Sequence, residues 1–100
     1  MSYKLEEFIQ DQSADIRADF VDAVNLLEAG KILSMPFGRN LVGLHAGLHE
    51  LRLKDRSGQV RVFYFIKNPN GIYMLHAFRK KTQELPKKEV KIALRRIREV

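Results

Sequence analysis

Between Leu48 and Lys81 three apolar, strand-like runs follow one another: LHELRLK, QVRVFYFIK and IYMLHAFRKK. They are separated only by Asp55-Arg56-Ser57-Gly58 and Asn68-Pro69-Asn70-Gly71, both turn-forming clusters of hairpin length, so an antiparallel meander is the simplest topology. Alternation sets Leu51 and Leu53 against Glu50, Arg52 and Lys54 in the first run. In the second it sets Val60, Val62, Tyr64 and Ile66 against Arg61, Phe63 and Phe65. In the third, Ile72, Met74, His76, Phe78 and Lys80 oppose Tyr73, Leu75, Ala77 and Arg79. Both faces of the central strands are apolar, which demands cover on each side, and helical sequence before and after the runs supplies it. The cations at the strand ends are then expected around a cleft.

The first third reads as helical. Leu5, Phe8 and Ile9 fit a short amphipathic segment, and Ser13 caps a longer helix with Ile16, Phe20, Val24 and Leu27 at helical spacing. Gly30 supplies its stop signal. From Lys31 to Gly47, Pro36, Gly38, Gly43 and Gly47 mark a connecting loop with a short extended piece near Leu41. The last element starts at Pro86, a residue favoured in the first helical turn, and places Val90, Ala93, Leu94 and Ile97 on one stripe. Lys87, Lys88, Lys91, Arg95 and Arg98 form its other side, read as a solvated basic face. The expected fold is α+β: N-terminal helices, an antiparallel three- to four-stranded sheet and a C-terminal helix. Residues 1–100 suit one domain with one core.

Charge is split along the chain. Residues 1–49 hold four Lys or Arg against seven Asp or Glu, whereas the remainder holds fourteen against five, for a net +6. The basic field of the second half favours phosphate-bearing partners and salt-sensitive encounter. The chain has no cysteine, which excludes a disulfide framework, a thiol nucleophile and a Cys-based zinc site. His45 and His49 have the spacing of a helical metal pair, but the flanking Gly43 and Gly47 and the strand pattern from Leu48 argue against a helix, so neither a metal nor a cofactor is expected. No apolar stretch approaches the ~20 residues that span a bilayer, and Met1-Ser2-Tyr3-Lys4 leads into charged sequence, so a cytoplasmic location is expected.

No Ser-His-Asp arrangement, phosphate-cradling glycine motif or carboxylate cluster is evident, so any chemistry rests on cations. Cleavage of RNA needs the 2′-hydroxyl deprotonated, the pentacoordinate phosphate stabilised and the leaving 5′-oxygen protonated. Arginine forks match phosphate oxygens and stay charged. A lysine among like charges has a depressed pKa and becomes a feasible proton acceptor or donor. A metal-free phosphodiester cleavage by an Arg and Lys cluster is therefore chemically reasonable.

The strings GLHELRLK, RVFYFI and LHAFRKKTQELPKKEVKIALRRI, in this order over residues 40–100, resemble the RelE/ParE superfamily of type II toxins, in particular its phage-derived HigB-like branch. The resemblance implies a RelE-like compact domain. The activity it implies is that of a toxin that cuts mRNA on the translating ribosome, an endoribonuclease that inhibits translation. The implied partner is a cognate antitoxin of helix-turn-helix type, bound in a toxin–antitoxin hetero-oligomer. Glu50, Leu51 and Arg52 match the Glu-Leu-Arg motif, Arg61 the Arg-Val-Phe-Tyr motif, and Phe78, Lys80, Lys81, Thr82 and Pro86 the Phe-x-Lys-Lys junction. The implied catalytic residues are Arg52 and Arg61, orienting the scissile phosphate and stabilising its charge, and Lys80, in proton transfer or electrostatic stabilisation. Lys54, Arg79 and Lys81 are the implied RNA contacts. An ion pair with Glu50 is the structural alternative for Arg52, and a satisfied core position is the more ordinary one for His76.

Two departures stand out. His49 occupies a position usually aromatic Tyr or Phe in that branch. Related toxins begin with a strand where residues 3–10 here read as helical, which would leave a sheet edge open to another chain. Because fold alone does not decide function, a ParE-like inhibitor of DNA gyrase acting by binding, and an inactive relative that binds only antitoxin or RNA, stand as alternatives.

Overall fold

The computed structural model describes residues 3–68, 71–80 and 84–100. Its elements are helices α1 (Tyr3–Gln10) and α2 (Ala14–Glu28), strands β1 (Gly38–Asn40), β2 (Leu48–Asp55), β3 (Gly58–Asn68) and β4 (Gly71–Lys80), and helix α3 (Lys87–Ile97). The expected α+β architecture is present, with four strands. Ser13 caps α2 by accepting the Ile16 N–H at 3.3 Å, and Gly30, at φ +82°, closes it. Ile16, Phe20, Ala23 and Leu27 form the buried stripe of α2.

The sheet is antiparallel in the order β1-β2-β3-β4. β1 lies slightly earlier than the extended piece expected near Leu41. Gly38 makes this possible: a Cβ there would stand 3.0 Å from the Glu50 carbonyl oxygen and 3.1 Å from Leu33 Cβ. Its absence lets β1 close on β2 and sets Arg39 opposite Glu50.

One sheet face packs Leu51, Leu53, Val60, Val62, Tyr64, Met74 and Ala77 against Leu5, Ile9 and the α2 stripe. The other packs Leu48, Phe63, Leu75 and Phe78 against Leu41 and the α3 residues Ala93 and Ile97. The strict alternation expected in β4 is therefore corrected. Phe63 pairs with His76 but Tyr64 with Met74, so Leu75 is inserted as a bulge. Tyr73 and Leu75 share the α3 side with His76 and Phe78, while Ile72 and Met74 share the α1–α2 side with Ala77. Phe63, wholly buried at the centre of the second face, would cost about 3–5 kcal/mol if cut to alanine.

α3 starts one residue later than expected. Pro86 is its N-cap, outside the helix, and its carbonyl accepts the N–H groups of Glu89 and Val90 at 3.1 Å. The helix is pinned to β4 by His76 Nε2 and Glu89 Oε2, 2.6 Å apart, and by Arg96 Nη1, which donates to the Leu75 carbonyl at 2.6 Å. Lys87, Lys88, Lys91, Arg95 and Arg98 are exposed. Among the described residues no helix is long and apolar enough to cross a membrane.

Candidate anion site

Strand register assembles the site row by row on the α3 side of the sheet. Lys54, Gln59 and Lys80 form one cross-strand row, Arg52, Arg61 and Phe78 the next, and Glu50, Phe63 and His76 the third, with Arg39 of β1 beside Glu50. Arg52 and Arg61 are thus directly opposite each other, an arrangement that is destabilising unless an anion intervenes. Glu50 is that anion. Its Oε1 accepts Arg61 Nη1 at 2.8 Å and the Nε groups of Arg39 and Arg52 at 3.1 Å each. Glu50 has no solvent exposure, and the side chains of Arg61, Arg52 and Arg39 are 5%, 19% and 35% exposed. Exposure therefore rises outward from Glu50, with Arg61 deepest.

Arg61 is held twice, since its Nη2 also donates to Gln59 Oε1. Two buried atoms have no hydrogen-bond partner among the described residues: Glu50 Oε2 and Arg61 Nε. Three guanidiniums on one carboxylate oxygen leave a strong positive excess, because a single negative charge cannot offset three. The excess reaches Lys80. Burial lowers the Lys80 pKa from its ordinary value, and the charges of Arg61, Arg52 and Arg39 lower it further against the opposing pull of Glu50. Arg61 is also lowered, chiefly by burial, with Glu50 opposing; guanidinium is a strong enough cation that arginines stay charged near neutrality.

The structure brings Arg52, Arg61 and Lys80 together on one face, with the exposed Lys54 at the margin. The ion pair considered for Arg52 exists, and it shares its carboxylate with two further arginines. Arg79 is not in this group. It projects to the opposite face, pairs with Asp55 at 3.3 Å and donates to Gln12 Oε1 at 2.8 Å, tying β4 to the α1–α2 junction. Lys81 and Thr82 lie outside the described residues. His49 stacks on Tyr64 with ring centres 5.1 Å apart on the α1–α2 side, and His45 meets Phe65 edge-on. Burial lowers the His49 pKa and pushes the Tyr64 pKa up to about 12.

Arg39 was not legible as a site residue because it falls in a stretch rich in Pro and Gly that reads as a loop. Its signal is the single Gly38 before it, which is decisive only once the register is known.

A family model described as phage-derived protein Gp49-like (DUF891) matches residues 7–98. No curated protein and no solved structure matches the chain.

Proposed function

The chain belongs to the phage-derived Gp49-like family, a family of RelE/HigB-like toxins, and from that premise we infer that it is the toxin of a type II toxin–antitoxin pair. Its reaction is metal-independent cleavage of mRNA on the ribosome. The observation that supports this reading is the gathering of Arg39, Arg52 and Arg61 on buried Glu50 beside a lysine of lowered pKa.

The RNA 2′-oxygen attacks the adjacent phosphorus, the new P–O2′ bond forms and the P–O5′ bond breaks, giving a 2′,3′-cyclic phosphate and a 5′-hydroxyl. The neutral amine of Lys80 takes the 2′-hydroxyl proton, and the departing 5′-oxygen takes its proton from water. Arg52 donates to the non-bridging oxygens, whose charge grows in the transition state. Arg61, being buried, acts through its field and by holding Glu50. Lys54 holds a flanking phosphate. The apolar segment between α2 and β1, with Ile32 89% and Phe37 66% exposed, supports a protein partner such as the antitoxin, since exposed apolar strips of this kind mark interaction surfaces.

Expression in a bacterial host tests the reading. Growth arrest with new 5′ ends inside translated messages, and protein synthesis stopping before any DNA-damage response, is the expected result. Continued translation with a rising DNA-damage response would replace it with gyrase inhibition, and unimpaired growth would replace it with a binding-only relative.

A further inference from the structure

The way the three arginines meet Glu50 separates their roles. Arg39 and Arg52 each approach Oε1 through Nε. Among the described residues that is the one hydrogen bond each guanidinium makes, so the Nη1 and Nη2 fork of both stays available. Arg61 is the reverse: both Nη groups are engaged, by Glu50 and Gln59, and its Nε is buried. A guanidinium fixed by Nε and offering its fork at a partly exposed surface is preorganised for the oxygens of a phosphate.

We propose that Arg39, on the short edge strand β1, is a second phosphate-contacting arginine paired with Arg52, and that Glu50 is the positioning residue that aims both forks at one phosphodiester. This rests on the RNA-cleavage reading and deepens it by naming the donors. The two forks supply four N–H-bearing nitrogens around one tetrahedral anion. Glu50 is too enclosed to touch the substrate, and its Oε1 is already taken up by three guanidinium contacts. It restrains the guanidiniums, whose mutual repulsion would otherwise splay them.

The experiment measures binding of a fluorescent 2′-O-methyl RNA oligonucleotide, which lacks the attacking hydroxyl, at several salt concentrations, alongside cleavage of ribosome-bound mRNA. Each phosphate contact contributes about 0.7 to the slope of log affinity against log salt for single strands. Because both forks share one phosphate, Arg39→Ala and Arg52→Ala should each reduce the slope by part of that amount, and the double variant by all of it, and each should weaken binding roughly tenfold. Lys31→Ala, a cation outside the site, should leave both unchanged. Glu50→Gln keeps the shape and an acceptor oxygen but removes the charge, and should keep the slope while lowering kcat for cleavage roughly tenfold with KM little changed. If Arg39→Ala does not fold, Arg39→Gln carries the same expectation.

A folded Arg39 variant with the wild-type slope overturns the clamp, as does a folded Glu50→Gln with unaltered kcat. If the slopes fall as expected but the wild-type protein cuts no message, the anion clamp stands and the nuclease reading fails. If the wild type cuts message while the Arg39 slope is unchanged, the nuclease reading stands and the clamp fails.

Discussion

Arg61 Nη1 lies 2.8 Å from Glu50 Oε1, and neither side chain is open to solvent. A buried pair of this kind is costly to break from one side, because the remaining charge is left in a poorly solvated place. Arg61→Ala should therefore lower the free energy of unfolding by about 3 kcal/mol, read by urea denaturation, with little change in the slope against denaturant. Toxicity lost in that variant reports folding as well as chemistry, whereas a near wild-type midpoint would show the pair to be expendable.

Arg52 is the cleaner probe of chemistry, since its side chain is partly exposed. Arg52→Ala should reduce cleavage by about a hundredfold or more while leaving the thermal midpoint within a few degrees. Single-turnover cleavage of ribosome-bound message makes the comparison, and retained activity in the folded variant removes Arg52 from the reacting phosphate.

Lys80 sets the expected pH dependence. Its pKa lies below the ordinary lysine value, and in the proposed reaction its neutral amine accepts the proton, so the cleavage rate should rise with pH and level off below the range of an ordinary lysine. Lys80→Arg, which keeps the charge but cannot accept a proton near neutrality, should abolish the rise. A pH limb that survives this substitution assigns the base elsewhere.

Asp55 carries an acid-sensitive share of stability. Its hydrogen bond from Arg79, followed by that from Ser13, holds the carboxyl below the ordinary 3.8. A group depressed on folding contributes above its unfolded pKa, and the contribution disappears as pH falls through the lower folded value. Thermal midpoints of the wild type and Asp55→Asn should therefore differ at pH 5 and converge toward pH 2. A gap that is independent of pH would mean that packing, not charge, is responsible.

Gly47 opens β2 at φ +83°, and a Cβ there would stand 2.7 Å from the Ile66 carbonyl oxygen and 2.8 Å from the Phe65 ring. Gly47→Ala combines a left-handed backbone with a contact that demands movement, and should cost about 2 kcal/mol or more. Guanidinium denaturation checks it, and an unchanged midpoint would show that the β1–β2 loop yields freely.

Much of the scaffold was legible because one periodicity governs each element. The Ile16, Phe20 and Leu27 spacing, the Ser13 cap and the Leu51, Leu53 alternation each depend only on neighbours in sequence. Glu50 was legible as a motif residue but not as the centre of the site, because its three partners come from three strands. Arg79 and Lys80 are chemically similar neighbours, and only the sheet decides that Arg79 goes to Asp55 and Gln12. The mis-phased half of β4 has the same origin: a bulge is a relation between two strands, and the run IYMLHAFRK is apolar enough on both sides to hide it.

The insertion at Leu75 reaches beyond local packing. Continuing the hairpin register of Tyr64 with Met74 without interruption would set Arg61 against Ala77 and Gln59 against Arg79. Arg79 would then occupy the row beside Lys54, and Lys80 would leave it. The extra residue acts as a phase selector for everything downstream on β4: it chooses a titratable amine over a permanently charged guanidinium for the position next to the clustered arginines. Deleting the extra residue would leave Lys80 in its row, whereas pairing this same sequence without the bulge would put Arg79 there, so the bulge alone keeps a titratable amine beside the arginines.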